Sequence, residues 1–328
     1  MTPDIIVLDS SETSTPSPLP YFSLTGTLSN YCIHLVSSMG DSLYVIKDAP
    51  GKGRGMFATQ DIKRGTCVIA ESPLLYAYHN SRMTGNIAAV EALSKKNKKY
   101  FYALRNVHED LGLPQEFGII QTNCLPLGAD ALDTAVYRII SRINHSCAPN
   151  VTHTWNPRTK KEYIYAINDI PEGAEILTSY LLPFMTRAER QERLSRSFRF
   201  TCQCEICDVD SSEEYDAAVK RIKLCTDLIV SCASSDPRKS IGYVREALAL
   251  MDKIGERGKT PYYYDGYQIC AQYSDYIEAK KWADLLLESY LMEEGEEGEK
   301  YARYLKYSQN PKSHERAGCG GYISFRGA

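Results

Sequence analysis

The chain has 328 residues, 43% of them hydrophobic, enough to build a packed core in two domains or in one large domain with an appendage. Its 38 Lys and Arg against 41 Asp and Glu leave a formal charge of −3, which argues against a protein built to coat phosphates, and no direct nucleic-acid binding is expected. No apolar run approaches the roughly 20 residues that cross a bilayer, and Met1-Thr2-Pro3-Asp4 does not read as a secretory signal. A membrane or secreted protein is disfavoured, and cytoplasm or nucleus is the expected compartment.

Residues 1–38 are rich in Ser, Thr and Pro and read as a tail that cannot bury enough apolar surface to offset the entropy of ordering it. From Ser42 the pattern turns to short apolar runs between turn residues. Leu43-Tyr44-Val45-Ile46 and Cys67-Val68-Ile69-Ala70 predict strands, with Gly51-Lys52-Gly53-Arg54-Gly55 as a glycine-rich loop between them. Residues 85–115 carry helical spacing, and Asp130 to Ile143 reads as a further helix. Tyr163 to Ile167 and Ala174 to Leu177 return to strands across the turn Pro171-Glu172-Gly173. Thr186 and Glu189 form a capping box that opens a charged helix from Arg187 to about Ser197. Beyond Ser211 the period is helical: Ala217 to Ile229, Ile241 to Ile254, Tyr262 to Glu278 and Lys280 to Met292, as a bundle or a short helical repeat. Tyr262, Tyr263, Tyr264, Tyr267, Tyr273 and Tyr276 are expected to pack these helices, and the acidic run from Glu293 to Glu299 to be a solvated loop or helix end.

Eleven cysteines, an odd number, suit reduced thiols or metal ligands better than a disulfide framework. Seven stand alone and read as small buried hydrophobes. Cys202-Gln203-Cys204-Glu205-Ile206-Cys207 instead puts three thiols within six residues. A tetrahedral zinc site wants four soft ligands, and closely spaced cysteines supply several at little entropic cost. The fourth must come from elsewhere. Cys147, in Asn144-His145-Ser146-Cys147, is the natural candidate, and His145 could serve on chemical grounds alone.

Four segments, in this order, resemble the motifs of SET-domain lysine methyltransferases: Gly51 to Ala58, Arg142-Ile143-Asn144-His145-Ser146-Cys147-Ala148-Pro149-Asn150, Glu175 to Tyr180, and Phe200 to Cys207. The likeness covers roughly residues 42–208. It is greatest to the SET-and-MYND branch, which shares the Cys-x-Cys-x-x-Cys ending, the stretch from Thr186 to Arg190 and a helical C-terminal domain. No run of Cys and His lies between Tyr76 and Gln121, so the MYND finger is absent from that segment.

What the resemblance implies is an α+β chain: a β-rich knotted SET domain over 39–197 with a helical insert at about 80–120, a zinc-binding post-SET segment over 198–208, and a helical domain over 209–328. The implied reaction is methyl transfer from S-adenosylmethionine to a lysine ε-amine. Gly51 and Gly53 would let the backbone approach the cofactor, with Lys52 and Arg54 near its carboxylate. Asn123, Asn144 and His145 would contact it, and Phe200 would lie against the adenine. Tyr180 would orient the methyl group and the incoming amine, since an in-line transfer is largely a matter of positioning. Cys147, Cys202, Cys204 and Cys207 would hold a structural Zn2+. Related enzymes often carry a tyrosine lining the lysine channel where this chain has Phe198, which points to a changed methylation state, a weaker enzyme or a different acceptor. The implied partner is a protein presenting a lysine, a histone tail among the candidates, acted on by a monomer. A non-catalytic module that keeps the cofactor and zinc, or an enzyme acting on a small molecule, are the competing readings.

Overall fold

A computed structural model describes residues 42–326 except 82, 129–130 and 297, and leaves aside the side chains of 209–211. The tail expected over 1–38 lies outside the described residues.

Strands β1 (Tyr44–Ala49) and β2 (Gly53–Ala58) form an antiparallel hairpin. Its turn places Gly51 at φ +73° and Gly53 at φ +77°, a left-handed backbone that strongly favours glycine. Strand β3 (Cys67–Glu71) follows and pairs with β9 (Lys161–Ala166), which pairs in turn with β8 (Val151–Asn156). A third small sheet has the order β4 (Leu75–Ala77), β6 (Thr134–Val136), β5 (Cys124–Pro126). Between β4 and β5 lies the helical insert, α1 (Met83–Glu91), α2 (Lys95–Tyr102) and α3 (Gln115–Asn123), packed around the buried Val90, Phe101, Ile119 and Ile120.

The hairpin continues through β10 (Glu175–Thr178), antiparallel to β2, and β10 runs parallel to β7 (Asn144–His145). This short parallel register sets Leu177 opposite Asn144 and Thr178 opposite His145. Asn150 locks it from outside the sheet: its Oδ1 accepts from the Leu177 amide at 2.8 Å and its Nδ2 donates to the Glu175 carbonyl at 2.9 Å. Met56, Ile62, Tyr137, Ile164, Ile170 and Ile176 fill the core beneath these sheets.

The helix expected over Asp130 to Ile143 does not form. Thr134–Val136 is the central strand of the third sheet, and Ile140–Arg142 is a single 3-10 turn. The reason is tertiary. Ala135, Val136 and Tyr137 are fully buried, and the Tyr137 hydroxyl donates to the buried Glu162 carboxylate at 3.1 Å. Glu71 then caps the following turn by accepting from the amides of Arg138, Ile139 and Ile140 at 2.9–3.1 Å.

The capping box opens α4 (Arg187–Phe198) as expected, with Thr186 and Glu189 bonding each other's backbone amides. Helices α5 (Val209–Cys232), α6 (Pro237–Ile254), α7 (Thr260–Gln272), α8 (Tyr276–Glu294) and α9 (Tyr301–Gln309) follow. The single helix expected over Tyr262 to Glu278 is broken at Ser274, which sits at φ +63°, and Asp275 starts α8 by accepting from the Glu278 amide. Tyr262, Tyr267 and Tyr273 do pack these helices, together with Met251, Trp282 and Phe325. The acidic run is less solvated than its composition suggests. Glu293 and Glu294 close α8, Thr154 of β8 donates its hydroxyl to the Glu293 carbonyl, and Thr260 donates to the Glu293 carboxylate at 2.8 Å.

Candidate active site and metal centre

The register of β7 and β10 brings the second and third sequence motifs together. Tyr180 leaves β10 directly above Asn144-His145, and its hydroxyl donates to the Ile143 carbonyl at 2.8 Å. Its backbone amide donates to His145 Nδ1 at 3.0 Å. Because Nδ1 accepts, the neutral imidazole carries its proton on Nε2, which lies 3.3 Å from the Cys147 sulfur. Burial pushes the His145 pKa down to about 4, consistent with a neutral ring. His145 is therefore a donor to a cysteine sulfur, and Cys147 is the residue of this loop whose sulfur joins the three cysteines that follow α4.

Cys147, Cys202, Cys204 and Cys207 converge with all four sulfurs within 4.8 Å of one another. Cys147 lies 4.0 Å from Cys202 and 3.5 Å from Cys207, sulfur to sulfur. Four thiolates at zinc-bonding distance on the corners of a tetrahedron are about 3.8 Å apart, so the donor set fits a closed, structural Zn2+. Four sulfurs this close could not all be ionised without a cation among them.

Helix α4 clamps this segment. Gln191 exchanges two hydrogen bonds with the backbone of Cys202, at 2.7 and 3.0 Å, and Arg187 Nε donates to the Cys207 carbonyl at 2.8 Å. Arg190 is 3% exposed, an unusual state for a guanidinium. It donates to the carbonyls of Met185 and Ile206 at 2.7 and 3.0 Å, reaches the Cys207 sulfur at 3.9 Å, and stacks on the Tyr215 ring. A cation in this position would offset the net negative charge that four thiolates keep around a divalent ion. Sequence reading missed this role, because a helix this rich in Arg and Glu gives no sign of which arginine turns inward.

The end of α4 and the segment after it carry two aromatics into the site. Phe198 lies 4.8 Å from Tyr180, centroid to centroid, and Phe200 lies 5.9 Å from His145. With His145 5.2 Å from Tyr180, the four rings form one apolar wall. Burial raises the Tyr180 phenol, which stays protonated.

The first motif joins from the hairpin. Asn144 Nδ2 donates to Glu175 Oε1 at 2.8 Å and to the Arg54 carbonyl at 3.3 Å, while Lys52 Nζ meets Glu175 Oε2 at 2.8 Å. A Cβ on Gly55 would approach Glu175 to 2.6 Å and Asn144 to 2.9 Å, so a side chain there would displace this pair. At Gly51 and Gly53 an added Cβ would meet nothing within 4 Å, which leaves that side of the loop open between the exposed Lys52 and Arg54. This open, cation-flanked backbone beside Asn144 fits the amino-acid end of S-adenosylmethionine. Glu175, the hub of these contacts, received no role from the sequence. Asn123 stands apart from them. Its amide nitrogen is spent on the carbonyls of Arg105 and Ile119 at 2.6 and 2.7 Å, so it fastens α3 to the preceding loop.

Residues 53–181 match the SET domain family. Histone-lysine N-methyltransferase set5 of Schizosaccharomyces pombe is 29% identical over 280 residues, covering 84% of this chain and 86% of that one. N-lysine methyltransferase SMYD2 of Homo sapiens is 29% identical over 91 residues, 28% of this chain and 21% of its own length. Histone-lysine N-methyltransferase SET5 of Scheffersomyces stipitis is 36% identical over 129 residues, 39% of this chain and 24% of its own length. The aligned part thus spans most of the fission-yeast relative and a quarter or less of the other two. Residues 53–181 thus match a SET domain, and the described residues add a cysteine cluster and a helical C-terminal region.

Proposed function

We propose that the chain transfers a methyl group from S-adenosylmethionine to the ε-amine of a lysine in a protein, with histone tails the first substrates to test. The observation that carries this reading is the β7–β10 register, which sets Tyr180 against Asn144 and His145 and above the four-cysteine cluster. The bound cofactor supplies an electrophilic methyl on a sulfonium. The chain's own residues supply the rest.

Gly51 and Gly53 leave backbone accessible, Lys52 and Arg54 would balance the cofactor carboxylate, and Asn144 and His145 would line the methionyl and adenine portions, with Phe200 against the adenine. Asn123 would shape the pocket through the α3 backbone that it holds. Tyr180, its hydroxyl fixed on the Ile143 carbonyl, would orient the acceptor amine. Lysine must react as the neutral amine although its free pKa is about 10.4. The wall formed by Tyr180, His145 and Phe198 desolvates the approaching ammonium and pushes that value down. Cys147, Cys202, Cys204 and Cys207 would hold Zn2+ as a structural clamp that keeps Phe198 and Phe200 at the pocket. The cytoplasm and nucleus, where thiols stay reduced, suit ten described cysteines that are all free.

The test is transfer of radiolabelled methyl groups to a histone panel and to a proteome of unmethylated lysates. Labelling that vanishes in Tyr180→Phe supports the reading. Stoichiometric cofactor binding with no labelling of any protein would overturn it and favour the non-catalytic module, for which Phe198 closing on Tyr180 is the supporting contact.

A further inference from the structure

Helix α2 reads Lys95-Lys96-Asn97-Lys98-Lys99-Tyr100-Phe101-Tyr102, and its buried Phe101 turns one side to the core. Lys96, Lys99, Tyr100 and Ala103 stand at i, i+3, i+4 and i+7, one stripe about 10 Å long on another side. The fold then extends this stripe with cations from distant sequence. The Arg138 guanidinium lies 4.0 Å above the Tyr100 ring, and Arg142 donates to the Ala103 carbonyl at 3.4 and 3.5 Å. Burial lowers the Arg142 pKa, and the nearby positive charges of Arg54 and Arg138 lower it further. Lys96, Lys99 and Arg138 are exposed, and among the described residues neither these nor Arg142 has a carboxylate at ion-pair distance. Glu71, whose charge is felt at Arg138, is half-buried and committed to three backbone amides. Two carboxylates of the insert have partners of their own: Glu116 accepts from Tyr102 at 2.6 Å, and Asp110 is 3.8 Å from Arg199.

A row of four uncompensated cations costs electrostatic free energy unless an anion covers it. We propose that the strip Lys96, Lys99, Arg138 and Arg142 is a docking surface for the phosphate backbone of duplex DNA. A duplex offers one charge per about 1.7 Å of axis, so neighbouring cations meet several phosphates at once and release their counterions. The stacked Arg138 holds its planar fork in place, which suits bidentate phosphate contact. An acidic peptide would have to present carboxylates in matching order. The near-neutral composition argued against nucleic acid only because it averages over the chain what the fold collects on one face.

Fluorescence anisotropy of a labelled duplex of about 25 base pairs, titrated with the full chain, tests this. Binding is expected to fall with salt on a log–log slope of about −2.7 to −3.6, at about −0.9 per phosphate contacted. Lys96→Glu/Lys99→Glu should weaken it at least tenfold and flatten the slope by about 2, with thermal midpoint and S-adenosylmethionine titration unchanged. The same charge change on α9, Arg303→Glu/Lys306→Glu, should leave it within twofold. No binding at 50 mM salt overturns the proposal. So does equal loss in the α9 variant, or tighter binding of a polyglutamate peptide than of the duplex.

Discussion

Asn144 and Glu175 lie 31 residues apart in sequence, yet their side chains meet at 2.8 Å, and Lys52 closes the same carboxylate from the opposite loop at the same distance. One carboxylate thus holds two of the residues proposed to contact the cofactor. Hydrogen bonds to a charged group contribute about 1.5–3 kcal/mol. Glu175→Ala should therefore weaken S-adenosylmethionine affinity by about ten- to hundredfold, with the KM for the lysine substrate nearly unchanged. Glu175→Gln should recover part of it, because Oε1 can still accept from Asn144. Calorimetric titration of the cofactor reads this directly. An unchanged affinity in both variants would remove Glu175 from the site.

Tyr180→Phe removes the hydroxyl bonded to the Ile143 carbonyl while the ring stays against His145 and Phe198. Loss of one oriented polar group at a reacting centre costs on the order of 10²–10³ in kcat. Single-turnover rates should fall by that range, with cofactor affinity within a few fold. A fall in affinity of the same size as the fall in rate would assign Tyr180 to binding instead.

Removing metal should release the segment that carries Phe198 and Phe200. Cys207→Ser, or a chelator, is expected to abolish cofactor binding and lower the thermal midpoint, since ligand convergence and local folding are one event. Arg190→Gln should act in the same direction, because the guanidinium that offsets the cysteine cluster is lost while α4 remains. Zinc stoichiometry by atomic emission, measured beside hydrogen exchange over 198–208, separates loss of metal from global unfolding.

Phe198→Tyr places a hydroxyl beside Tyr180 where the ring centroids are 4.8 Å apart. If the proposed channel passes between them, the degree of lysine methylation should change while the cofactor KM does not. Intact-mass analysis of a methylated peptide reads the ratio of mono- to di- and trimethyl product.

Burial, with Glu293 and Glu162 close by, raises Glu294 from the usual 4.5 to about 7, against the opposing pull of Lys300 and His153. A carboxyl whose folded pKa lies above its unfolded value binds its proton more tightly in the native state. Its stabilising preference is complete below about pH 4.5 and is lost as pH rises through 7. Glu294→Gln should accordingly be neutral near pH 4 and stabilise the chain by roughly 1–3 kcal/mol at pH 8. Thermal midpoints of both proteins across pH 4–8 give the difference curve, and a flat difference would contradict it.

The motifs legible along the chain are those whose chemistry needs close spacing. Three cysteines in six residues announce a metal site, Thr186 and Glu189 announce the start of α4, and glycines at 51 and 53 announce a left-handed turn, because each signal acts within a few residues. The sequence also favoured Cys147 over His145 as the fourth ligand. What it could not show is how His145 is used, since the Tyr180 amide donating to His145 Nδ1 is a contact 35 residues long in sequence. For the same reason it misread Asp130 to Ile143 as a helix. The burial of Tyr137 on Glu162 and the pairing of β6 between β4 and β5 override local propensity there. Glu175, Arg190 and the strip of Arg138 and Arg142 along α2 carry no local mark at all. A charged residue takes its meaning from which charge or sulfur the fold sets beside it, and only the tertiary structure decides that.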